Sequence, residues 1–310
     1  MFIRGYMRGF LINLSALLLI HGVALGAFSK SDAGTSGAQF LKLGAGARAT
    51  SMGGAFTGVA DDATAVYWNP AGLSRIEKKS VSLMHALWFE DISYDWASYV
   101  CPAKIGSFGV GIQYVSYGAL KGADKDGAET GNFIPADIAL TMAYGRKISG
   151  IDAGISVKYI QSTITETATA LAADLGVMKK MVDNKLSLGL AVQNIAGEMK
   201  FIEAADPLPL TIKVGVAYKF MKNLLVSADI IMPSDSGVNF AIGGEYAHRV
   251  NDDLSATLRL GCNTISKDVT GLSGITAGIG GAYKNYAIDY AFVPYGDLGM
   301  THRVSLGVKF

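Results

Sequence analysis

From about Ser80 onward, apolar and polar positions alternate one for one in blocks of roughly 9–11 residues, the length a tilted strand needs to cross a bilayer. Leu210, Ile212, Val214, Val216, Tyr218 and Phe220 are separated by Thr211, Lys213, Gly215, Ala217 and Lys219. Side chains on a strand point to opposite faces with period two, so this block makes one continuously apolar face and one small or polar face. The same split recurs in Leu186, Leu188, Leu190 and Val192 against Ser187, Gly189, Ala191 and Gln193. It recurs again in Val238, Phe240 and Ile242 against Asn239, Ala241, Gly243 and Glu245. Leu254, Leu258 and Leu260 alternate with Ser255, Thr257, Arg259 and Gly261, and Ile151, Ile155, Val157 and Tyr159 with Asp152, Gly154, Ser156 and Lys158.

The blocks predict about fourteen strands: 80–89, 92–101, 105–117, 136–146, 151–162, 170–180, 184–195, 209–220, 222–232, 237–248, 254–264, 274–283, 286–293 and 300–310. The block at 170–180 fits least well, because Leu171, Ala172 and Ala173 suit a helix and Asp174 is depleted in strands. A soluble sandwich also alternates, so the connections decide. Long ones fall at 118–135, 163–169, 196–208, 265–273 and 294–299; short ones fall around Pro102, Lys147 to Gly150, Met181 to Asp183, Met221, Arg249 to Asp253 and Lys284-Asn285. Long and short alternate in phase, as in outer-membrane barrels with long loops outside and tight turns inside; the brief turns at Glu90-Asp91 and Pro233 to Ser236 are the exceptions. The expected fold is therefore all-β, a transmembrane antiparallel β-barrel. Closure requires the last strand to pair with the first.

Composition agrees with this pattern. The 310 residues are half hydrophobic and only 17% charged, yet beyond the N-terminus no apolar run approaches the roughly 20 residues of a spanning helix. Residues 1–27 read as a secretory signal, with Arg4 and Arg8 before the apolar stretch Phe10 to Leu25 and small residues up to Ala27. Removing it turns the net charge of +1 into −1, which gives no electrostatic case for nucleic acid. Two cysteines, Cys101 and Cys262, make no disulfide framework.

Residues 38–76 lose the alternation and are dominated by small residues, among them Gly53, Gly54 and Gly72. Asn69-Pro70 and Ala71-Gly72 read as turns, and Ala60 to Tyr67 as a short helix with Asp61 and Asp62 at its N-terminus. Such a piece is too small to fold alone and is expected to plug the barrel lumen as a hatch. The domains are thus a signal peptide (1–27), an extension and hatch (28–79) and an outer-membrane barrel (80–310).

No enzyme constellation emerges. His21, His85, His248 and His302 are isolated in sequence, and no cluster suits a metal or a cofactor. Adjacent Asp61 and Asp62 on a helix do not face each other, so a cap is the better reading than an acid/base pair. Gly44-Ala45-Gly46 and Gly278-Ile279-Gly280 lack the remainder of a phosphate loop and read as glycine against a barrel wall. Lys158, Lys213, Glu245, Arg259 and Arg303 fall on the lumen-facing parity, where charges pair across a wet interior or set selectivity.

Phe40 to Ala49, Met52-Gly53-Gly54-Ala55, Ala60-Asp61-Asp62 and Tyr67-Trp68-Asn69-Pro70-Ala71-Gly72-Leu73 together resemble the N-terminal signature of the PorV/PorQ family. Ile288 to Gly299, followed by Thr301-His302-Arg303, is similar to that family's last hairpin. The Asn-Pro-Ala-Gly turn is shared with FadL-type hydrocarbon and fatty-acid transporters, whose barrels have fourteen strands and an N-terminal hatch. The terminal strand, with Val304, Leu306, Val308 and Phe310 on one face, resembles the signal read by the barrel assembly machinery. The first resemblance implies a non-enzymatic outer-membrane protein that binds or shuttles secreted cargo through its C-terminal domain in type IX secretion. The second implies passive transport of a hydrophobic small molecule. Outer-membrane lipid is the expected surrounding in both.

Overall fold

The computed structural model describes residues 34–265 and 271–310; the expected signal peptide lies outside the described residues, as does part of the connection at 265–273. Fourteen strands form the wall: β1 (Ser80–Leu87), β2 (Ser93–Ala103), β3 (Gly106–Ser116), β4 (Ala136–Ile148), β5 (Ile151–Thr163), β6 (Thr167–Met181) and β7 (Leu186–Ile195) in the first half. The second half holds β8 (Thr211–Met221), β9 (Leu224–Pro233), β10 (Asn239–Arg249), β11 (Leu254–Asn263), β12 (Ile275–Tyr283), β13 (Tyr286–Pro294) and β14 (Met300–Lys309). Each pairs antiparallel with its chain neighbours, and β1 pairs with β14 from Ser80 opposite Lys309 to Leu87 opposite His302, which closes the ring. No open edge remains in this wall, so its backbone groups are satisfied without water.

The alternation sets the two faces. Phe108 and Val110, Leu140 and Met142, Ile155 and Val157, Leu188 and Leu190, Leu258 and Leu260 all stand exposed on the outer surface, while their neighbours in sequence turn inward. That exposed apolar belt makes the barrel a transmembrane one. Connections on one rim are long and on the other short. The long rim adds two features where sequence suggests only loop: a hairpin pairing 120–123 with 129–133, and a smaller one pairing 198–200 with 205–207. The connection expected at 163–169 shrinks to a three-residue turn, because β6 starts early and is the longest strand at 15 residues.

That strand corrects the doubt over 170–180. Ala170 and Ala172 face inward, where small side chains fit, and Asp174 is buried against Lys158 at 2.9 Å and Ser156 at 2.8 Å. An ion pair made with the neighbouring strand β5 outweighs the low strand propensity of Asp and Ala.

Ahead of β1, residues 39–76 fold into short turns: 3-10 turns at Gln39–Lys42 and Pro70–Arg75, and α1 (Ala47–Ser51) and α2 (Ala65–Trp68). The helix expected from Ala60 begins only at Ala65. Asp62 turns back to accept from the Thr64 N–H at 2.9 Å and the Thr64 hydroxyl at 2.5 Å, making a side-chain turn that competes with helix. Hydrogen bonds tie this segment to the wall on every side: Ser98 Oγ on β2 donates to the Ala63 carbonyl, the Phe56 and Thr57 N–H groups donate to Asp229 on β9, Gly53 N–H to Thr276 on β12, and Ala47 N–H to Ser305 on β14. A segment bonded to a closed wall all round lies within it. Its residues Met52, Phe56, Val66 and Leu73 are fully buried.

Glycine is what lets the segment fit. Gly145, Gly154, Gly176, Gly189, Gly215, Gly243, Gly261 and Gly278, all on strands, lie directly against its backbone or side chains. A Cβ on Gly154 would run into the Pro70 backbone, and one on Gly189 into the Thr57 carbonyl. These neighbours are main-chain atoms in a packed lumen and cannot swing aside. Gly189→Val is expected to destabilise the barrel by about 1–3 kcal/mol, the usual overpacking cost. The check is the urea midpoint of folded against heat-shifted gel mobility in detergent.

Candidate functional site

The lumenal segment does not fill the barrel at the rim of long connections. A cavity of about 290 Å³ remains there, floored by the 3-10 turn at Gln39–Lys42 and by α2, and walled by the successive strands β7 to β14. Its lining is predominantly apolar and rich in aromatic rings: Tyr67, Trp68, Trp88 and Tyr295. The volume is that of a site for one small organic molecule.

Sequence places the rings locally and hydrogen bonds orient them. Asn69 is extended, with Pro70 at the first position of the following turn; its side chain accepts from the Ala71 N–H at 3.1 Å and donates to the Thr57 carbonyl at 3.0 Å. This ends α2 and holds Tyr67 and Trp68 edge to face with centroids 4.9 Å apart. Trp68 Nε1 donates to the Ala45 carbonyl at 2.8 Å, and Tyr67 Oη to the Leu41 carbonyl at 3.2 Å. Across the cavity Trp88, just past β1, lies against Tyr295 at 5.0 Å.

Two cations enter this apolar lining. Lys213 Nζ sits over the rings of Trp68 at 4.9 Å and Tyr67 at 5.4 Å. The Arg303 guanidinium lies over Trp88 at 5.7 Å and donates to the Gly44 carbonyl at 2.9 Å and to Tyr295 Oη at 3.2 Å. Neither forms a salt bridge with a carboxylate among the described residues. Trp88 Nε1 and Arg303 Nε are buried with no hydrogen-bond partner, leaving donors in the lining unused.

The structure thus divides the five inward charges. Lys158 is spent on Asp174 and Asn194. Glu245 and Arg259 join a network near the rim of short turns. There Arg48 Nε meets Glu245 at 2.7 Å, Arg48 Nη1 meets Asp61 at 2.6 Å and Asp62 at 2.9 Å, and Arg259 bridges Glu245 and Asp289 at 2.7 Å each. A second cavity of about 190 Å³ lies beside this network at that rim. Only Lys213 and Arg303 of the five line the aromatic cavity. Gly53 and Gly54 also border it, whereas Asn69 and Pro70 pack beneath, against β5 to β7, and Gly72 lies against Ala60 within the segment. Val304, Leu306 and Phe310 face outward on the terminal strand.

Sequence reasoning missed two anchors. Asp229 receives the Phe56 and Thr57 N–H groups at 3.1 and 2.9 Å; its lumen-side parity, between outward Ala228 and Ile230, is the signal that marks it. Asp235, in the turn after β9, clasps the floor of the cavity: Gln39 Nε2 donates to it at 2.6 Å and Lys42 Nζ at 2.9 Å. No local pattern flags that residue, since its partners lie nearly two hundred positions away.

Burial pushes the Asp235 carboxyl up, but the hydrogen bonds from Gln39 and Lys42 and the Lys42 charge outweigh it and hold the group below its ordinary range. A depressed folded value means the clasp contributes in full above the unfolded value of about 3.9 and is lost as pH falls through the lower folded value. Tryptophan emission from the cavity is therefore expected to change only in strong acid, and Asp235→Asn is expected to abolish that step. For the buried Lys158–Asp174 pair, Lys158→Met is expected to cost about 3–5 kcal/mol by stranding the carboxylate, and adding Asp174→Leu to recover most of it, read as urea midpoints.

Solved structures share this architecture. The toluene transporter TodX of Pseudomonas putida superposes with a TM-score of 0.55 at 16% identity, covering 86% of this chain and 96% of that one. The toluene transporter TbuX of Ralstonia pickettii gives 0.54 at 14% identity, covering 86% and 98%. A Pseudomonas aeruginosa FadL homologue gives 0.51 at 12% identity, covering 84% and 97%. At these identities the likeness is one of fold. In sequence, residues 21–234 match the family model UPF0164, described as an uncharacterised protein family. A curated UPF0164 protein of Treponema pallidum (strain Nichols) is 26% identical over 207 residues, or 58% of this chain; the match spans about half, 48%, of that relative's length.

Proposed function

This chain belongs to the uncharacterised protein family UPF0164, and from its geometry we propose that it is a non-enzymatic outer-membrane channel for passive movement of a hydrophobic small molecule. The observation that carries the reading is the aromatic cavity of about 290 Å³ beneath the long connections, open toward that rim and closed below by the lumenal segment. Under this reading the long rim faces outside, the segment 38–76 is the hatch, and the cavity is where a molecule arriving from the medium first leaves water. Burial of apolar area against Trp68 and Trp88 drives binding at about 25 cal/mol per Å².

The order of the two roles implied by sequence resemblance is thus reversed. The aromatic cavity, and a fold shared with proteins named as toluene transporters, support transport. Cargo binding in type IX secretion, with the PorV/PorQ assignment, stands as the second reading on the matching chain ends alone. Export by a signal peptide and insertion by the barrel assembly machinery belong to both.

The test is uptake of a radiolabelled monoaromatic hydrocarbon and a radiolabelled alkanoate, each at low concentration, by cells carrying the protein in an intact outer membrane. Uptake of at least one is expected to rise over cells lacking the protein and to fall about tenfold with Trp68→Ala, corresponding to about 1.4 kcal/mol of lost binding. Uptake of neither, together with recovery from native membranes of secreted proteins sharing a C-terminal domain, would put the second reading first.

A further inference from the structure

The outward face of the wall at the long rim is uncharged on every described strand except three adjoining ones. His302 on β14, His85 on β1 and Asp95 on β2 all point outward there, between Tyr290 on β13 and Tyr114 on β3. His85 and Asp95 are register partners, with Nδ1 to Oδ1 at 2.7 Å and about half of each side chain exposed. His302 Nδ1 meets Tyr290 Oη at 2.6 Å, the two rings stacked at 6.1 Å. His302 lies opposite Leu87 and His85 opposite Val304, so the two imidazoles are diagonal neighbours, roughly 7–8 Å apart at the backbone.

Ionisable groups on a membrane-facing wall are costly unless something satisfies them, so their concentration on three strands marks a contact. Both Nδ1 atoms are engaged within the wall, which leaves the two Nε2 atoms for a partner outside it. A shallow groove of about 420 Å³ starts at His85 and Asp95, with His302 just beyond it on β14, and continues along Leu83, Ala97, Ile112, Tyr114, Val304 and Leu306. The short outward side chain of Ala97 between taller neighbours shapes the dip. The groove is polar at its rim end and apolar over the remainder. That is the profile of one amphiphile lying along the membrane normal, with its polar head at the rim and its chain in the groove.

We propose that this wall binds a phosphate-bearing lipid of the adjoining leaflet. Its phosphate accepts hydrogen bonds from the His85 and His302 Nε2 positions, and an acyl chain lies in the Leu83–Ile112–Leu306 groove. With Asp95 accepting the Nδ1 proton of His85, donation from Nε2 to the phosphate requires the doubly protonated ring, which then bridges carboxylate and phosphate by two charge-assisted hydrogen bonds. The site is separate from the lumenal cavity, because inward and outward side chains alternate and the wall between them is continuous.

Native mass spectrometry of the full-length protein from non-ionic detergent micelles tests this, with phosphatidylglycerol and a diacylglycerol of the same chains as probes. One phosphatidylglycerol is expected to be retained per barrel and the diacylglycerol lost. The double variant His85→Leu/His302→Leu, whose leucines suit a lipid-facing wall, is expected to retain at least tenfold less phosphatidylglycerol. Lys213→Met, inside the lumen, is expected to leave retention unchanged. Equal retention of the two lipids by the unaltered protein overturns the proposal without recourse to any variant. Undiminished retention by the double variant overturns it too, as does loss with Lys213→Met, which would put the lipid in the lumen. A stoichiometric protein on this wall in native membranes, shed by the double variant, would replace the lipid with a partner chain.

Discussion

Hydrocarbon offers no hydrogen bonds, and that constraint organises everything else in this protein. A backbone group left unpaired in a bilayer costs several kcal/mol, so the sheet must close, and the pairing of β1 with β14 closes it. Closure at fourteen strands leaves a lumen wider than the inward side chains fill. Here Gly, Ala and Ser occupy many of the inward positions, which widens it further and admits the 39–76 segment against bare backbone at Gly154 and Gly189.

Packing main chain against main chain creates a second demand, because buried N–H and C=O groups of the segment need partners. The wall supplies them from side chains: Asp229, Thr276 and Ser305 accept, Ser98 and Gln193 donate. The inward charges follow the same logic. Asp152 with Arg75 and Glu245 with Arg48 tie the segment to the wall, while Asp174 with Lys158 and Arg259 with Glu245 and Asp289 are matched within the wall itself. Lys213 and Arg303 break the rule by facing aromatic rings instead of carboxylates, and both do so in the aromatic cavity.

The two proposed sites sit on opposite faces of one wall and use opposite chemistry. In the lumen, cations stand among aromatic rings in a pocket bounded by protein on most sides. On the outside, imidazoles stand above an aliphatic groove bounded by lipid. Strand geometry permits both on neighbouring residues, as at Arg303 and His302, because successive side chains share no face.

Sequence alone determined the strands, their number, the sidedness of each and the closed architecture, because period-two alternation is local and its meaning does not depend on what the strand meets. It also marked Gly53, Gly54, Asn69 and Pro70 as a segment unlike the wall. Tertiary structure alone decided which charges are matched and which are left to a cavity. Asp229 meets Phe56 across 173 positions, Asp235 meets Lys42 across 193, and no pattern within a window of chain records such a meeting. The late start of α2 and the strand at 167–181 have the same origin. The pattern makes Asp62 a helix cap and Asp174 a residue ill suited to a strand, while the fold uses their carboxylates, one to bond Thr64 and Arg48, the other to bury a pair with Lys158. His85 and His302 stand 217 positions apart in a linear reading and become neighbours only because the last strand returns to the first.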